Sequence, residues 1–517
     1  MQPTLNESLV KITRGVGIAF IGYLSGLLFT FLGRLLIARY GTESDYGEFS
    51  LVLAVLSICV VIALLGLPEG ASRSIAYARS KNEAGKVQDI ISSSLWFALI
   101  ASLTVGLFLF LTSGTIARII FHDPALGFPL KIFAIAIPFF TLINISVSLF
   151  RGFDDVRPTA YFHNILRNGL FLLLLGMVIF FRLPFSGVFY TYLASLVITC
   201  IFLFTYTIKR LPSPIRITTR TIVNPVAKEL LFFSLPLLGV AALQQIIIWF
   251  DTLMLGYFRT SAEVGLYNIA HPLAVFISAP VGVLTLIYLP VISGLYAEGQ
   301  MPEIRRNFRI LVKWLNFASL PLFFILFIFP ETVLSFLFGA GYVSAAGALK
   351  ILSLGFIIDS VIGLSETTLI ALGQSRFIMW ATLATVVINI GLNIALIPPL
   401  GIEGAAIALA AAIIFLNLIR CWKLYSISKA QPLSRNLIKP VLVSLGLVFL
   451  IQFIAEKFLI ITWWMLPVLL VLYYGAYFLA VLFTRSFDEE DIALLLTVEK
   501  RTGINARFVK RLLRRFV

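Results

Sequence analysis

The sequence predicts an all-α integral membrane protein with about 14 transmembrane helices. Of the 517 residues, 60% are hydrophobic and only 13% are charged, and the mean hydropathy is +0.99. A chain with so little polar surface cannot coat a water-soluble globule. Apolar runs of about 20 residues, the length that crosses a hydrocarbon core, recur along most of the chain. We therefore expect its surroundings to be lipid.

Fourteen apolar segments meet this length requirement. In chain order, they are roughly residues 15–38, 48–67, 89–112, 129–150, 159–181, 185–206, 229–257, 263–289, 311–331, 345–371, 377–398, 402–422, 438–456 and 462–484.

The distribution of Lys and Arg predicts the orientation of these helices. Most of the 40 basic residues fall in alternate connections and in both termini, which places those parts on the cytoplasmic side of a plasma membrane. The net charge of +15 is thereby explained by topology and contact with anionic lipid. A nucleic-acid partner is not needed to account for it.

The chain also contains an internal repeat. Residues 38–50 (ARYGTESDYGEFS) resemble residues 256–268 (GYFRTSAEVGLYN), 218 positions later. The second copy thus starts with the seventh helix, so both copies enter the membrane with the same orientation and are predicted to form two lobes related by a pseudo-twofold axis along the membrane normal. Matched positions include Thr42 with Thr260, Gly47 with Gly265, Phe49 with Tyr267, Gly152 with Gly373, Ala160 with Ala381, Asn168 with Asn389, Leu183 with Leu400 and Gly187 with Gly404.

The repeat divides the chain into five parts. They are an N-lobe of six helices (1–208), a basic cytoplasmic linker (209–228), a C-lobe of six helices (229–424), two further helices (425–484) and a basic amphipathic cytoplasmic tail (485–517).

Three segments carry a family resemblance: LPEGASRSIAYA (67–78), LFRGFDDVRPTA (149–160) and LGYFRTSAEVGLYNIA (255–270). With the order of six, six and two helices, they resemble the polysaccharide transporter (Wzx-like) branch of the MATE-like flippase superfamily. The resemblance implies a V-shaped transporter that turns over a lipid-diphosphate-linked oligosaccharide by alternating access. It also implies a polyprenyl-type carrier, partner enzymes of a polysaccharide or glycosylation pathway, and a groove for the lipid tail at helices thirteen and fourteen.

Charged and polar residues inside spans are costly and usually face a cavity. Arg34 and Arg167 are predicted to meet a diphosphate as charge-assisted donors. Alternatively, Arg34 reaches outward to headgroups, and Arg167 pairs with a carboxylate or with helix-end carbonyls. Glu69 and Arg73 lie just beyond helix two, where an ion pair at the inner gate competes with substrate contact. The predicted substrate-binding residues are Arg34, Glu69, Arg73, His163, Asn164, Arg167 and Asn168.

A second group of residues is predicted to couple transport to an ion. By resemblance to lipid II flippases, Asp251, Asn389 and Asn393 match a sodium site, although Asn393 replaces a carboxylate there. Asp359 and Glu366 share a helix face and offer a proton-coupling site, with polar glue between helices as the alternative. Na⁺ or H⁺ is thus the expected coupling ion, and no other cofactor is expected.

Two other functions compete with this interpretation. A multidrug cation antiporter of the same fold would need an acidic, aromatic cavity, whereas this chain puts arginines in the first lobe. A membrane glycosyltransferase or polymerase would need catalytic groups on an extended outer loop, and every predicted outer connection is short. The chain is therefore predicted to be a transporter and not an enzyme.

Overall fold

A computed structural model describes residues 5–211, 224–431, 442–450, 453 and 465–483 of the chain, and every regular element among them is helical. The α-helices are α1 (Leu5–Tyr40), α2 (Glu43–Leu64), α3 (Leu67–Ser80), α4 (Ala84–Thr115), α5 (Gly127–Arg151), α6 (Arg167–Phe180), α7 (Ser186–Arg210), α8 (Pro225–Phe258), α9 (Ser261–Ala297), α10 (Met301–Ile328), α11 (Pro330–Leu337), α12 (Ala346–Ile362), α13 (Leu364–Ala371), α14 (Ser375–Leu400), α15 (Ile402–Ser428) and α16 (Met465–Phe483). Two π-helical segments (Ile116–Ile120 and Thr159–Leu166) and two 3₁₀ segments (Pro124–Leu126 and Ala340–Ala345) complete the series.

Twelve segments of the described chain are long and apolar enough to cross a membrane. They overlap the first twelve predicted spans one by one, which confirms the all-α membrane fold. Several helices begin or end beyond the apolar run, since α2 continues through α3 to Ser80 and α10 begins at Met301. The backbone hydrogen bonds of a helix do not stop at the hydrocarbon boundary, so hydropathy underestimates helix length.

Parts of the sequence prediction fall outside the described residues. The two last predicted spans are described as a helical stretch at 442–450 and as α16, so the count of fourteen stays a prediction. Residues 212–223 of the predicted linker and the tail at 485–517 are not described.

The two repeat copies begin their second and eighth spans in the same way. Thr42 Oγ1 accepts a hydrogen bond from the backbone N–H of Asp45 at 3.2 Å, and the Asp45 carboxylate accepts one from the N–H of Thr42 in return. Thr260 Oγ1 likewise accepts from the N–H of Glu263 at 3.4 Å, just before α9. These caps satisfy N–H groups that the helix itself leaves free, so matched threonines fix matched helix starts.

The chain divides into two compact packing units, Met1–Asn268 and Ile269–Val517. In the first unit, α5 packs against α2, α4 and α7, and α8 packs against α2 and α3. Small residues bring α1 close to the π-helix Thr159–Leu166: a Cβ placed on Gly22 would lie 2.5 Å from Cβ of Ala160. Because α8 belongs to the first unit, this division differs from the predicted lobes, whose boundaries stay a prediction.

The second unit contains the rest of α9 and the helices from α10 onwards. In it, α15 packs against α12 and α14, and α12 also packs against α10. Gly355 on α12 allows the close approach to α15, since a Cβ there would lie 2.9 Å from Cα of Ala410. Such small-residue contacts replace the hydrophobic effect as the source of helix packing in lipid.

Candidate functional site

Arg167, the first residue of α6, is held in the first unit by uncharged groups. Its Nε and Nη2 atoms donate to Oδ1 of Asn168 at 3.2 and 3.1 Å, and its Cζ atom lies 5.0 Å from the centroid of the Phe140 ring. The side chain is half-buried, and among the described residues no carboxylate pairs with it. An amide and an aromatic ring orient the guanidinium but leave its charge uncompensated.

The residues before Arg167 form a π-helix, Thr159–Leu166, instead of the α-helix that is usual in a membrane span. Nδ1 of His163 lies 3.1 Å from Oδ1 of Asn164, and Nδ2 of Asn168 donates to the carbonyl of Gly26 on α1 at 3.5 Å. The four polar side chains still form one half-buried group directed at α1 and α5. π-Helical turns are rare in proteins, and those that occur are often found at functional sites.

A cavity of about 290 Å³ adjoins this group within the first unit. Polar side chains of Glu69, Asn144, Arg151 and His163 line it, together with apolar residues of α2, α5 and α8. Nη2 of Arg151 lies 3.7 Å from Oε1 of Glu69. The cavity thus combines the paired carboxylate of Glu69 and guanidinium of Arg151 with the imidazole of His163, in a space large enough for several water molecules.

The gate ion pair expected between Glu69 and Arg73 does not form. Glu69 pairs with Arg151 of α5, whereas Cζ of Arg73 lies 4.5 Å from the centroid of the Phe233 ring on α8. One turn of α3 separates the two residues, and α3 packs against both α5 and α8. Each side chain contacts a different neighbouring helix, which the sequence alone did not reveal.

Arg34 belongs to a different polar network of the first unit. It lies beside the hydroxyl group of Tyr46, which donates to the carbonyl of Asn268 at 3.3 Å. Oδ1 of Asn268 accepts in turn from Oγ1 of Thr252 at 3.1 Å. Arg34 and Arg167 are therefore held by separate sets of partners.

Asp251 of α8 lies next to this network. It is 3% exposed, and its Oδ2 atom accepts a hydrogen bond from the hydroxyl of Tyr267 at 2.9 Å. Tyr267 and Asn268 are neighbours on α9, and Asp251 and Thr252 are neighbours on α8. The helix pair thus connects the predicted ion residue Asp251 with the neighbourhood of Arg34.

The matched glycines of the repeat, Gly47 and Gly265, face each other. A Cβ on Gly47 would overlap the carbonyl oxygen of Ser261, and a Cβ on Gly265 would overlap that of Glu43. A Cβ on either glycine would also lie 3.0 Å from the backbone nitrogen of the other. Glu43 and Ser261 are themselves 218 positions apart, so the contact is reciprocal, as twofold symmetry requires.

In the second unit, Asn389 and Asn393 lie one turn apart on α14. Both are buried, and Nδ2 of Asn393 donates to Oδ1 of Asn389 at 3.1 Å. Within the described part of the chain, no group of three or more His, Cys, Asp or Glu side chains is placed to hold a metal ion. Asp251 belongs to the first unit and the two asparagines to the second, and each carries an oxygen donor of the kind that Na⁺ accepts.

Asp359 and Glu366 lie on separate helices, since the chain ends α12 at Ile362 and begins α13 at Leu364. Both contact α15: Oδ1 of Asp359 accepts from Nδ2 of Asn417 at 2.9 Å, and Oε2 of Glu366 lies 2.9 Å from Nη1 of Arg420. Arg420 is 6% exposed and also feels the charge of Asp359. Gly363 between the two helices keeps helical dihedral angles, and both carboxylates are directed at α15, where Arg420 pairs with Glu366 and lies in the field of Asp359.

We expect the substitution Arg420→Ala to lower the free energy of unfolding by about 3 kcal/mol, because it leaves Glu366 and Asp359 without their cation. Thermal unfolding in detergent measures the loss. The double substitution Arg420→Ala with Glu366→Gln should recover part of it. A double variant that is less stable than Arg420→Ala alone would show that this ion pair is not the source of the effect.

The acidic loop at 154–155 forms surface ion pairs. Nε of Arg157 donates to Oδ1 of Asp155 at 2.8 Å, and Nη1 of Arg79 lies 3.2 Å from Oδ2 of Asp154. The Asp155 carboxylate raises the pKa of Arg157 by hydrogen bonding and charge. With both carboxylates paired, this loop offers no evident metal site.

Sequence reasoning missed three residues that complete these groups: Arg151, Tyr267 and Arg420. Arg420 lies inside the predicted span at 402–422, so its depth is a signal that identifies it. Arg151 and Tyr267 carried no such signal, because one lies at a helix end and the other is an ordinary aromatic residue of a membrane helix.

Comparisons with known proteins agree with this architecture. The family model described as polysaccharide biosynthesis protein matches residues 12–295, and the MatE family model matches residues 236–395. The Haloferax volcanii protein named "Probable low-salt glycan biosynthesis flippase Agl15" is 25% identical over 401 residues, which cover 76% of this chain and 79% of that protein.

Two solved structures share the fold. The lipid II flippase MurJ in an inward closed conformation has a TM-score of 0.67 at 16% identity, covering 91% of this chain and 97% of that chain. An inward-facing multidrug resistance MATE transporter of the MOP superfamily has a TM-score of 0.66 at 16% identity, covering 78% of this chain and 96% of that chain. Since the first family model spans more than half of the residues, the chain belongs to the polysaccharide biosynthesis protein family and has the fold of MOP-superfamily transporters.

Proposed function

We propose that this protein is a flippase that moves a lipid-diphosphate-linked oligosaccharide from the cytoplasmic to the outer leaflet of the plasma membrane, with both termini cytoplasmic. The observation that carries the proposal is the uncompensated guanidinium of Arg167, held half-buried beside Asn168 and Phe140. Charged residues within membrane spans usually face a water-filled cavity, pair with other groups or mark a substrate pathway, and Arg167 has no carboxylate partner among the described residues.

The chemistry of the substrate requires a group of this kind. Sugar hydroxyls and a diphosphate cannot enter hydrocarbon without losing water, which costs many kcal/mol. A hydrated passage lined by Arg167, His163, Asn164 and Asn168 replaces that water with donors. The polyprenyl chain is apolar and stays in the bilayer throughout. The names of the Agl15 and MurJ proteins, a glycan biosynthesis flippase and a lipid II flippase, support the same substrate class.

Alternating access is supported by the symmetric contact of Gly47 with Gly265. These residues lie at the predicted outer ends of α2 and α9, in matched positions of the two repeat copies. The two glycines let the backbones of the repeat copies approach closely at this symmetric point, beside the packing of α8 against α2 and α3. We propose that this contact closes the outer side of the passage and opens when the substrate is released.

The two rival functions fit the structure less well. An organic-cation antiporter needs acidic side chains where this chain places Arg167. A glycosyltransferase needs free catalytic carboxylates, and the described acidic loop at 154–155 is engaged in ion pairs. Enzymes of a polysaccharide or glycosylation pathway are proposed as partners that supply and consume the lipid-linked sugar.

The direct test is flipping by the purified protein in proteoliposomes. A fluorescent oligosaccharide diphosphate polyprenol should become accessible in the opposite leaflet, and the matching polyprenol-linked sugar without phosphate should not. Empty liposomes and liposomes with a fluorescent phospholipid serve as controls for leakage and scrambling. Equal movement of charged and uncharged substrates would contradict a role for the diphosphate.

We propose that Asp251 couples transport to a proton or a sodium ion, with Asn389 and Asn393 contributing if the ion is sodium. Imposing an H⁺ or a Na⁺ gradient separately across the proteoliposomes should reveal acceleration by one of them. Asp251→Asn should abolish that acceleration and leave downhill flipping in place. If neither gradient changes the rate of the parent protein, ion coupling is wrong, and Asp359 and Glu366 also lose their proposed role.

A further inference from the structure

A second cationic site lies on the first unit, at the end of α4 that is predicted to be outside. The outer-end pocket, about 580 Å³ in volume, is lined by the cations Arg118 and Lys131, the hydroxyl residues Ser113 and Thr115, and the apolar residues Phe110 and Leu111. None of these residues belongs to the polar groups around Arg167, Arg34 or Arg420.

The pocket carries positive charge without a matching acid. No carboxylate lines it, and among the described residues neither Arg118 nor Lys131 forms an ion pair. Nζ of Lys131 instead lies 5.9 Å from the centroid of the Phe110 ring. Both cations are exposed and line the same pocket, so an anion between them is attracted by two charges at once. The pocket is thus arranged for an anionic group.

The backbone explains why Arg118 lines the pocket. After Thr115 the chain leaves the α-helix and forms the π-helical segment Ile116–Ile120. A π-helical turn rotates the following side chains relative to an α-helix. Gly114 leaves open space at the same level, since a Cβ there would meet no atom within 4 Å.

The surroundings of the pocket are those of a lipid-facing surface. Leu111 and Ile119, which line the pocket beside the two cations, are 71% and 65% exposed, and Leu107 and Phe108 one turn earlier on α4 are 60% and 66% exposed. A ligand held here would place its anionic head between Arg118 and Lys131 and its hydrocarbon chains along these residues. A phospholipid has this arrangement, whereas a free inorganic anion would leave the apolar surface unused.

We propose that the outer-end pocket binds the phosphate of an anionic phospholipid in the predicted outer leaflet. The positive-inside rule disfavours basic residues on that side, so the presence of two of them in one pocket is not explained by topology. Arg118 supplies a planar guanidinium and Lys131 a mobile ammonium group, both of which bind phosphate oxygens. The hydroxyl group of Thr115 adds a neutral donor.

The test measures lipid-dependent stability of the purified full chain in detergent and does not depend on flipping. Short-chain phosphatidylglycerol, short-chain phosphatidylcholine and inorganic phosphate are titrated separately while thermal unfolding is followed. The parent protein should be stabilised by phosphatidylglycerol far more than by the other two. In the double variant Arg118→Gln with Lys131→Gln, the half-saturating concentration should rise by about tenfold or more.

Two further variants separate the pocket from general charge effects. Gly114→Phe should raise the half-saturating concentration to a similar extent by filling the open space, and replacing glycine in a helix should not disturb folding. Arg182→Gln removes an exposed cation elsewhere on the predicted outer side and should behave as the parent does. Equal half-saturation in all variants, or an equal response to phosphatidylcholine, would overturn the proposal. An equal response to inorganic phosphate would overturn the assignment to a lipid.

Discussion

Replacing Arg167 with alanine should reduce flipping of the lipid-diphosphate-linked oligosaccharide by about a hundredfold. Hydrogen bonds to charged groups contribute about 1.5–3 kcal/mol each, and the guanidinium offers at least two of them to a diphosphate. Losing about 2.8 kcal/mol of binding corresponds to two factors of ten. The effect should fall mainly on KM, because Arg167 is proposed to bind the substrate rather than to move with the gate.

Conservative variants sharpen this prediction. Arg167→Lys keeps the charge but loses the forked geometry, so its activity should lie between those of the parent and Arg167→Ala. Arg157→Ala is the matched control, since it removes an exposed arginine of the first unit whose surface ion pair contributes under about 1 kcal/mol. Its flipping rate should stay within about twofold of the parent.

Folding must be measured beside transport. Arg167 contacts only uncharged groups among the described residues, so its removal should leave no buried carboxylate behind and change the melting temperature little. A variant that melts like the parent and transports like the parent would remove Arg167 from the substrate site and with it the main support for an anionic substrate.

The sequence predicted the membrane helices well because hydrophobic length is a strong local signal. The first twelve predicted spans all correspond to helical segments of suitable length and composition. It predicted helix type less well, since the π-helix at Thr159–Leu166 depends on packing against α1, where Gly26 and Asn164 approach closely. Local sequence does not encode such a contact between residues far apart in the chain.

The charged residues inside the spans can be identified from the sequence, whereas their pairings cannot. The cost of burying a charge in a membrane singles out Arg167, Asp251, Asp359 and Glu366, whose roles in a site stay predictions. The partners depend on which helices lie side by side, and this information is absent from a single sequence. Glu69, for example, was expected to pair along its own helix and instead pairs with Arg151 of another.

The second large effect is expected at the symmetric glycine contact. Gly47→Ala should disfavour the state in which the predicted outer ends of α2 and α9 touch, because its Cβ would overlap the carbonyl oxygen of Ser261. Overpacking of this kind costs about 1–3 kcal/mol, which shifts a two-state equilibrium by about fivefold to somewhat over a hundredfold. Transport, which requires both states, should fall accordingly.

Spin labels at Leu183 and Leu400 offer a direct readout of this shift. These residues are matched positions of the repeat, each is 45% exposed, and they mark the predicted outer ends of the two lobes. In Gly47→Ala, the distribution of label distances should move to longer values. Gly176→Ala is the control, because a Cβ at Gly176 would meet no atom within 4 Å.

Because the contact is symmetric, the reciprocal substitution at Gly265 should have the same effect as the substitution at Gly47, which a local packing defect at one glycine would not require. Gly265→Ala introduces the reciprocal overlap with Glu43, so it should change the distances and the flipping rate in the same direction and by a similar amount. Once either substitution has separated the helices, the second has little left to disturb, so the double variant should be far from additive. Additive effects, or a label distribution unchanged in both single variants, would show that the glycine contact does not close the outer side.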